Sequence, residues 1–563
     1  MHALALILLM LAASTGLRVV ADRWGVPYAS LLVIGGLALT AIPNLPTVAL
    51  APDVLFLVFV PPLLYWGATS FPLRDLRRSS GPILRLAVLL VLFSSAMVAA
   101  AIHAIDPAFT WAASFALGAI VSPPDPVAVR SVMRATRLPR EIERILEGEG
   151  LLNDASALVL YRVAVAAAAT SVFSPWKTAL QFFGVALGGV AIGLGMGAVV
   201  LRLRRLARAI GVVDNTMSLL TPFATYLAAE ALGCSGVLAV VTAAMYIARN
   251  IDAIMLPISR LQSVSMWTVT TFLLESLAFI LVGIEMPSVV RGLDGAAVAT
   301  LTREAAVVLA TMIGARLVWA FPSAHLGMRI DRWIRGSRER VPAWPIVLFI
   351  GWAGIRGADS LVIALTLPFA TEGGQPFPAR NRIIFITFGV ILASLVIQAP
   401  TLRPLARALG LRRDDTDGDE EAHARLATAE AALSTLDELA PKEAAFPEVA
   451  RYLRQRLRER ALRWGAQGKR PADRTAIDHP HAIPSPASHQ AGLLDEARAE
   501  EYRRIRCAMI GAERRALIGL RDEGTIGDDI MATVQRELDF EQIVLEGSEP
   551  VVEAPREIAM ERP

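Results

Sequence analysis

Carboxylate and amide side chains stand where an apolar chain should not tolerate them. The segment Glu147-Gly148-Glu149-Gly150-Leu151-Leu152-Asn153-Asp154-Ala155-Ser156-Ala157 runs into the apolar stretches 158–160 and 163–169. An Asp at the centre of a membrane helix costs about 2.5–3.5 kcal/mol on insertion scales, so such a group faces a cavity or a partner. Asp154 is therefore a candidate for holding a proton or a hard cation. Glu149 and Asn153 are four residues apart and share one helix face. A second carboxylate, Asp125, lies in Gly118-Ala119-Ile120-Val121-Ser122-Pro123-Pro124-Asp125-Pro126-Val127. Three prolines within four residues remove backbone donors and clash with preceding carbonyls, so the helix must break here. Broken backbone at membrane depth is tolerated where it is buried in protein or lines a wet cavity. Freed carbonyls beside a carboxylate are good ligands for a hard monovalent cation. Asp125 and Asp154 lie about midway along consecutive antiparallel spans, so both carboxylates can meet at the midplane.

A third stretch, Gly351-Trp352-Ala353-Gly354-Ile355-Arg356-Gly357-Ala358-Asp359-Ser360, carries three glycines around a central Arg. It reads as a weakened helix, and a buried Arg needs a counter-charge. Glu149 and Asp359 are the candidates. A fourth, Leu55 to Tyr65 with Pro61-Pro62, reads as the kinked wall of a cavity or as a packing kink.

The elements that must position these groups are membrane helices. Of 563 residues 54% are hydrophobic and 19% charged, and the charge is crowded beyond about residue 411. Apolar runs fall at 2–20, 26–46, 51–69, 82–104, 108–132, 143–170, 177–201, 214–232, 235–249, 264–286, 298–326, 343–368 and 382–402. That makes roughly thirteen spans, or twelve if 214–249 is one tilted or re-entrant unit. Arginines cluster after alternate spans, as at Arg74, Arg77 and Arg78, at Arg134 to Arg144, at Arg202 to Arg208 and at Arg329 to Arg340. The intervening loops are nearly bare, apart from Arg291, Arg303, Arg380 and Arg382. The positive-inside rule then puts the N-terminus outside and the C-terminus in the cytoplasm, in keeping with thirteen spans. The interrupted fifth and twelfth spans occupy corresponding places in two halves of opposite direction, the signature of inverted repeats around a midplane site.

The fold class expected is an all-α polytopic membrane protein over 1–411 with two crossing unwound helices. A cytosolic helical tail follows over 412–563. Within the tail, 412–421 reads as a solvated hinge, helical patterns fall at 421–440, 447–464, 492–522 and 527–545, and 465–486 is a proline-rich linker. Leu493, Leu494, Ala497, Ile505, Met509, Ala512, Leu517 and Leu520 fall on one side of the third pattern. The tail reads equally as a packing or dimerising bundle and as a regulatory module. The apolar N-terminus has no basic residue before it and continues to Val20, so it reads as a first span rather than a cleaved signal. Two cysteines, Cys234 and Cys507, make no disulfide framework. The mild net charge of +3 needs no nucleic acid. Asp478, His479, His481 and His489 sit in the proline-rich linker and read as solvated loop rather than a metal site.

The segments 118–128, 147–154 and 354–361 resemble the three signature segments of the monovalent cation:proton antiporter-1 family, the sodium/proton exchangers. Val60-Pro61-Pro62-Leu63-Leu64 and Glu275 to Gly283 also resemble family segments, and Arg514 to Gly524 resembles the bacterial branch. The resemblance implies antiport of Na⁺ or Li⁺ against H⁺ across the bacterial cytoplasmic membrane, for pH and cation homeostasis, without a cofactor. It implies Asp154 as the group that alternately holds proton and cation beside Asn153, with Asp125 completing the site, Ser122 and the Pro124 carbonyl beside it, and Na⁺ held through Asp125 and Asp154. It implies a Glu149–Arg356 ion pair and a homodimer. Three positions depart from the family pattern: Pro124 where Thr is common, Gly150 where Ser is common, and Asp359 where an apolar or small residue is usual. The first two remove hydroxyl ligands, which leaves K⁺/H⁺ exchange as the alternative. An intramembrane aspartyl protease would need Gly-x-Gly-Asp, which neither Asp125 nor Asp154 has. A non-transporting membrane sensor signalling through the tail is the remaining rival.

Overall fold

Long apolar runs satisfy their backbone groups within one helix, and the described residues are mostly helical. A computed structural model describes residues 2–24, 28–42, 52–71, 80–125, 138–170, 175–206, 211–251, 255–291, 298–335, 342–371, 375–411, 416–439, 447–467 and 493–546. Pro126, Val127 and the linker from residue 468 with its histidines lie outside these. Among the described residues there is no β-strand, only an isolated bridge between Ala370 and Pro376. The helices are α1 (His2–Trp24), α2 (Tyr28–Leu39), α3 (Pro52–Ser70), α4 (Ser80–Ile105), α5 (Trp111–Val121), α6 (Arg140–Thr170), α7 (Pro175–Leu206), α8 (Gly211–Ala231) and α9 (Gly236–Ile251). They continue with α10 (Pro257–Arg291), α11 (Val298–Arg335), α12 (Trp344–Trp352), α13 (Ala358–Leu365) and α14 (Arg380–Ala408). The tail holds α15 (Thr416–Leu439), α16 (Pro447–Gln467), α17 (Leu493–Glu523) and α18 (Asp528–Glu546).

Among the described residues, seven helices are long and apolar enough to cross a membrane, and four shorter apolar helices accompany them. The expected split near residue 233 is present: α8 ends at Ala231, Gly233 takes φ +67°, and α9 starts at Gly236. The expected twelfth span is two short helices, α12 and α13, parted at Ala353–Gly357. Two π-helical stretches were not foreseen, Arg85–Leu90 within α4 and Ser394–Gln398 within α14.

The chain forms two compact units, Met1–Met255 with Ser263–Arg413, and Leu256–Gln262 with Asp414–Pro563. In the second unit Leu436, Leu453, Leu457, Ile505 and Met509 form one core, and Leu517, Ile526, Ile530, Val534 and Leu538 form another. Arg506 donates to Glu541 at 2.7 Å and to Glu513 at 3.2 Å. Helix α15 begins at Thr416, inside the stretch expected to be a hinge. Its Asp419 and Glu420 suit the positive end of a helix dipole, which lets an acidic run start a helix rather than solvate a loop.

Candidate functional site

Two interruptions meet in the first unit. Helix α5 starts on Thr110, whose side chain accepts from the Ala113 N–H, and stops at Val121, before Pro123 and Pro124. The following backbone crosses the gap between α12 and α13, where the Asp125 N–H donates to the Ile355 carbonyl at 2.7 Å. This approach requires a glycine: a Cβ on Gly357 would lie 1.9 Å from Asp125 Oδ2. Gly357 and the proline cluster thus permit the two segments to cross at a point where neither is helical.

The groups freed by the breaks find partners. Arg356 donates through its guanidinium to the carbonyls of Val121 and Gly354, and its backbone N–H donates to Ser394 Oγ at 3.2 Å. Gln398 Nε2 donates to the Trp352 carbonyl at 3.3 Å. Ser394 and Gln398 bound the π-helical stretch of α14. A single extra residue in a helical turn is a usual device at functional sites, and here it aims two side chains at unpaired backbone.

Arg356 does not take Glu149 as its ion partner. The Glu149 carboxylate pairs bidentately with Arg316 of α11, Arg316 Nη2 reaching Oε2 at 2.7 Å, and Arg316 Nε donates to the Ile350 carbonyl at 3.1 Å. The reason is that each guanidinium has a different vacancy to fill. The interruption leaves carbonyls beside Arg356, while Arg316 faces the intact carboxylate of α6. The fork of Arg matches carboxylate geometry, and such charge-assisted pairs are the strong ones. Glu149 is fully buried and Arg316 is 3% exposed, so α6, α11 and α12 are tied together out of solvent.

Ser122 lies against the serines of α4. Its hydroxyl donates to the Gly118 carbonyl at 2.6 Å and meets Ser94 Oγ at 3.0 Å and Ser95 Oγ at 2.9 Å. A hydroxyl has one donor and two acceptor positions; the Ser122 proton goes to Gly118, and the Ser94 proton is also within reach of the Leu90 carbonyl at 2.7 Å. The Pro124 carbonyl accepts from Asn153 Nδ2 at 3.3 Å. Asn153 therefore pins α6 to the broken segment, while its Oδ1 is buried without a protein partner among the described residues. A carbonyl oxygen in that state is suited to a cation or a water.

Asp154 lines a cavity of about 20 Å³, together with Asp359 of α13, enough for roughly one water-sized guest. The rest of the wall is apolar: Phe56, Val60, Leu63 and Leu64 of α3, Leu158 of α6, Val237 of α9 and Ile363 of α13. The double-proline helix α3 is thus a cavity wall. Among the described residues neither Asp154 nor Asp359 forms a hydrogen bond or ion pair. Asp154 lies within electrostatic reach of Asp359 and of Asp125. Asp359 is not the counter-charge of Arg356; beyond the break it opens the next helix and turns to the cavity. Asp125 is buried against Gly357 and is not part of the cavity wall.

Arg316, Ser94, Ser95 and Ser394 were missed from the sequence. Arg316 had a signal, a lone Arg in the apolar run Met312 to Ala320. The serines had none, since a hydroxyl on a membrane helix usually bonds back to its own turn.

Residues 7–408 match the model of the family described as sodium/hydrogen exchanger, transmembrane. Over 552 residues the chain is 32% identical to an uncharacterized Na⁺/H⁺ exchanger of Mycobacterium bovis, with 96% of each chain covered. A sodium, potassium, lithium and rubidium/H⁺ antiporter of Bacillus subtilis is 35% identical over 361 residues, 62% of this chain and 53% of that one. The structure of the sodium proton antiporter MjNhaP1 from Methanocaldococcus jannaschii at pH 8 matches with a TM-score of 0.57 at 20% identity. That match covers 73% of this chain and 99% of the other, and the likeness is one of fold.

Proposed function

Because the chain belongs to the sodium/hydrogen exchanger family, a family of transporters and not of enzymes, we propose that it exchanges a monovalent cation for protons by competition at Asp154. The observation that carries this reading is an unpaired carboxylate facing a one-guest cavity in an apolar wall. A bare charge there is costly, and the nearby guanidinium groups are committed elsewhere: Arg316 to Glu149, Arg356 to the carbonyls of Val121 and Gly354. The neutralising charge must come from the guest, which is a proton or a cation. Where the empty, charged site cannot cross, each passage of a cation one way requires a proton the other way. Asn153 Oδ1 is a further neutral ligand, and Asp125 acts on the site through its charge.

Na⁺ and Li⁺ are the proposed substrates. K⁺ is the alternative, favoured by the missing hydroxyls at Gly150 and Pro124 and by the name of the Bacillus subtilis relative. The protein is proposed to work as a homodimer in the bacterial cytoplasmic membrane with a cytoplasmic tail, in pH and cation homeostasis, with the two broken helices as halves of an inverted repeat. The test is dissipation of a preset pH gradient in proteoliposomes on adding Na⁺, Li⁺, K⁺ or choline in turn. Dissipation by Na⁺ and Li⁺ is expected. A response to K⁺ alone would replace the substrate, and no response to any cation would remove the exchange reading.

A further inference from the structure

We propose that Asp359 is a second carboxylate ligand of the transported cation and sets which cation the site prefers. The inference rests on the exchange reading above and adds a residue to it.

Three observations carry it. Asp154 and Asp359 line the same cavity of about 20 Å³ from two different helices, so a guest that fits there meets both. Asp359 has none of the structural roles open to a buried acid. It forms no ion pair or hydrogen bond among the described residues, and Arg356, three residues before it, is spent on Val121 and Gly354. The buried Asn153 Oδ1, also without a protein partner, is a neutral oxygen on the same helix as Asp154 and next to it in the chain. The cavity itself thus offers carboxylate oxygens from α6 and α13, a hard-ligand pair, with the Asn153 amide oxygen adjacent in the chain but outside the cavity wall. Asp359 stands in the first turn of α13, at the positive end of that helix, which eases an anionic side chain there.

The consequence is one of field strength. Two carboxylates bind a small cation more strongly than one carboxylate with neutral oxygens, and that gain best offsets the dehydration of Na⁺ and Li⁺, which hold their water more tightly than K⁺. In this chain Asp359 thus takes over the work of the hydroxyls that Gly150 and Pro124 lack.

The experiment compares wild type, Asp359→Asn, Asp359→Ala and Asp154→Asn in the full chain. Cation-dependent proton flux is measured in proteoliposomes, and cation-induced thermal stabilisation is measured in detergent with NaCl, LiCl, KCl or N-methylglucamine chloride. Both Asp359 variants should raise the KM for Na⁺ by about tenfold or more, the cost of losing one charged ligand. The KM for K⁺ should rise less. The Na⁺ concentration for half-maximal stabilisation should move with the Na⁺ KM. Both variants should fold at or above the wild-type melting temperature without cation, since no partner of Asp359 is left unpaired. A smaller change in the Na⁺ KM in both variants, an equal rise for K⁺, or a variant that fails to fold overturns the proposal. Flux in the wild type with unaltered Asp359 variants removes this inference alone. Absence of flux in the wild type removes the exchange reading, and the thermal shift then still decides whether Asp359 holds the cation.

Discussion

Two carboxylates of one helix, five residues apart, do different work because of what faces them. Glu149 meets a guanidinium and is locked; Asp154 meets a cavity and is free. A buried pair broken from one side leaves an uncompensated charge. Arg316→Leu should therefore lower stability by about 3–5 kcal/mol, read from denaturant titration of the solubilised chain. Replacing both partners, Glu149→Leu with Arg316→Met, should restore most of that loss. Equal loss in the single and double variants would mean that the pair is not the cause. Asp154 and the broken segments were legible in the sequence because proline runs and charges are conspicuous in apolar chain. The partner of Glu149 was not. Arg316 and Arg356 both lie far along the chain, and which one faces α6 depends on packing. Likewise the packing of Ser94 and Ser95 of α4 against the Ser122 hydroxyl is not legible in the sequence.

At the scale of elements, the crossing is held by backbone and by the absence of a side chain. The Asp125 N–H bonds to the Ile355 carbonyl, and Gly357 leaves room for the Asp125 carboxylate. Gly357→Ala would set a Cβ 1.9 Å from Asp125 Oδ2 and 2.4 Å from its Cγ, so the two segments must part. Cation-dependent flux in proteoliposomes should fall by about tenfold or more, the cost of overpacking a tight site. Wild-type flux in that variant would show that the contact is dispensable. The glycines and prolines announced both breaks, but not how they are repaired. Repair falls to Arg356, Ser394 and Gln398, and it depends on a π-helical stretch in α14 that Ser394 and Gln398, lone polar residues in an apolar run, do not by themselves mark.

The whole molecule divides its chemistry between two units. In the tail, burial alone would raise the carboxyl of Glu541, but Arg506, bonded to it at 2.7 Å, holds it below the ordinary glutamate value. A carboxylate with a lowered folded-state pKa adds stability that is complete above the unfolded value of about 4.3 and is lost as pH falls through the folded value. Hydrogen exchange over residues 493–546 of the full chain should therefore speed up as the medium is acidified below about pH 4. Arg506→Gln should move that opening to higher pH; an unmoved opening would place the acid sensitivity elsewhere. The chemistry of the first unit centres on Asp154. The most direct measurement is cation-dependent proton movement in proteoliposomes carrying Asp154→Asn beside the wild type. Exchange in the wild type and its abolition in the variant is the predicted result, and full exchange by the Asp154→Asn protein would contradict it.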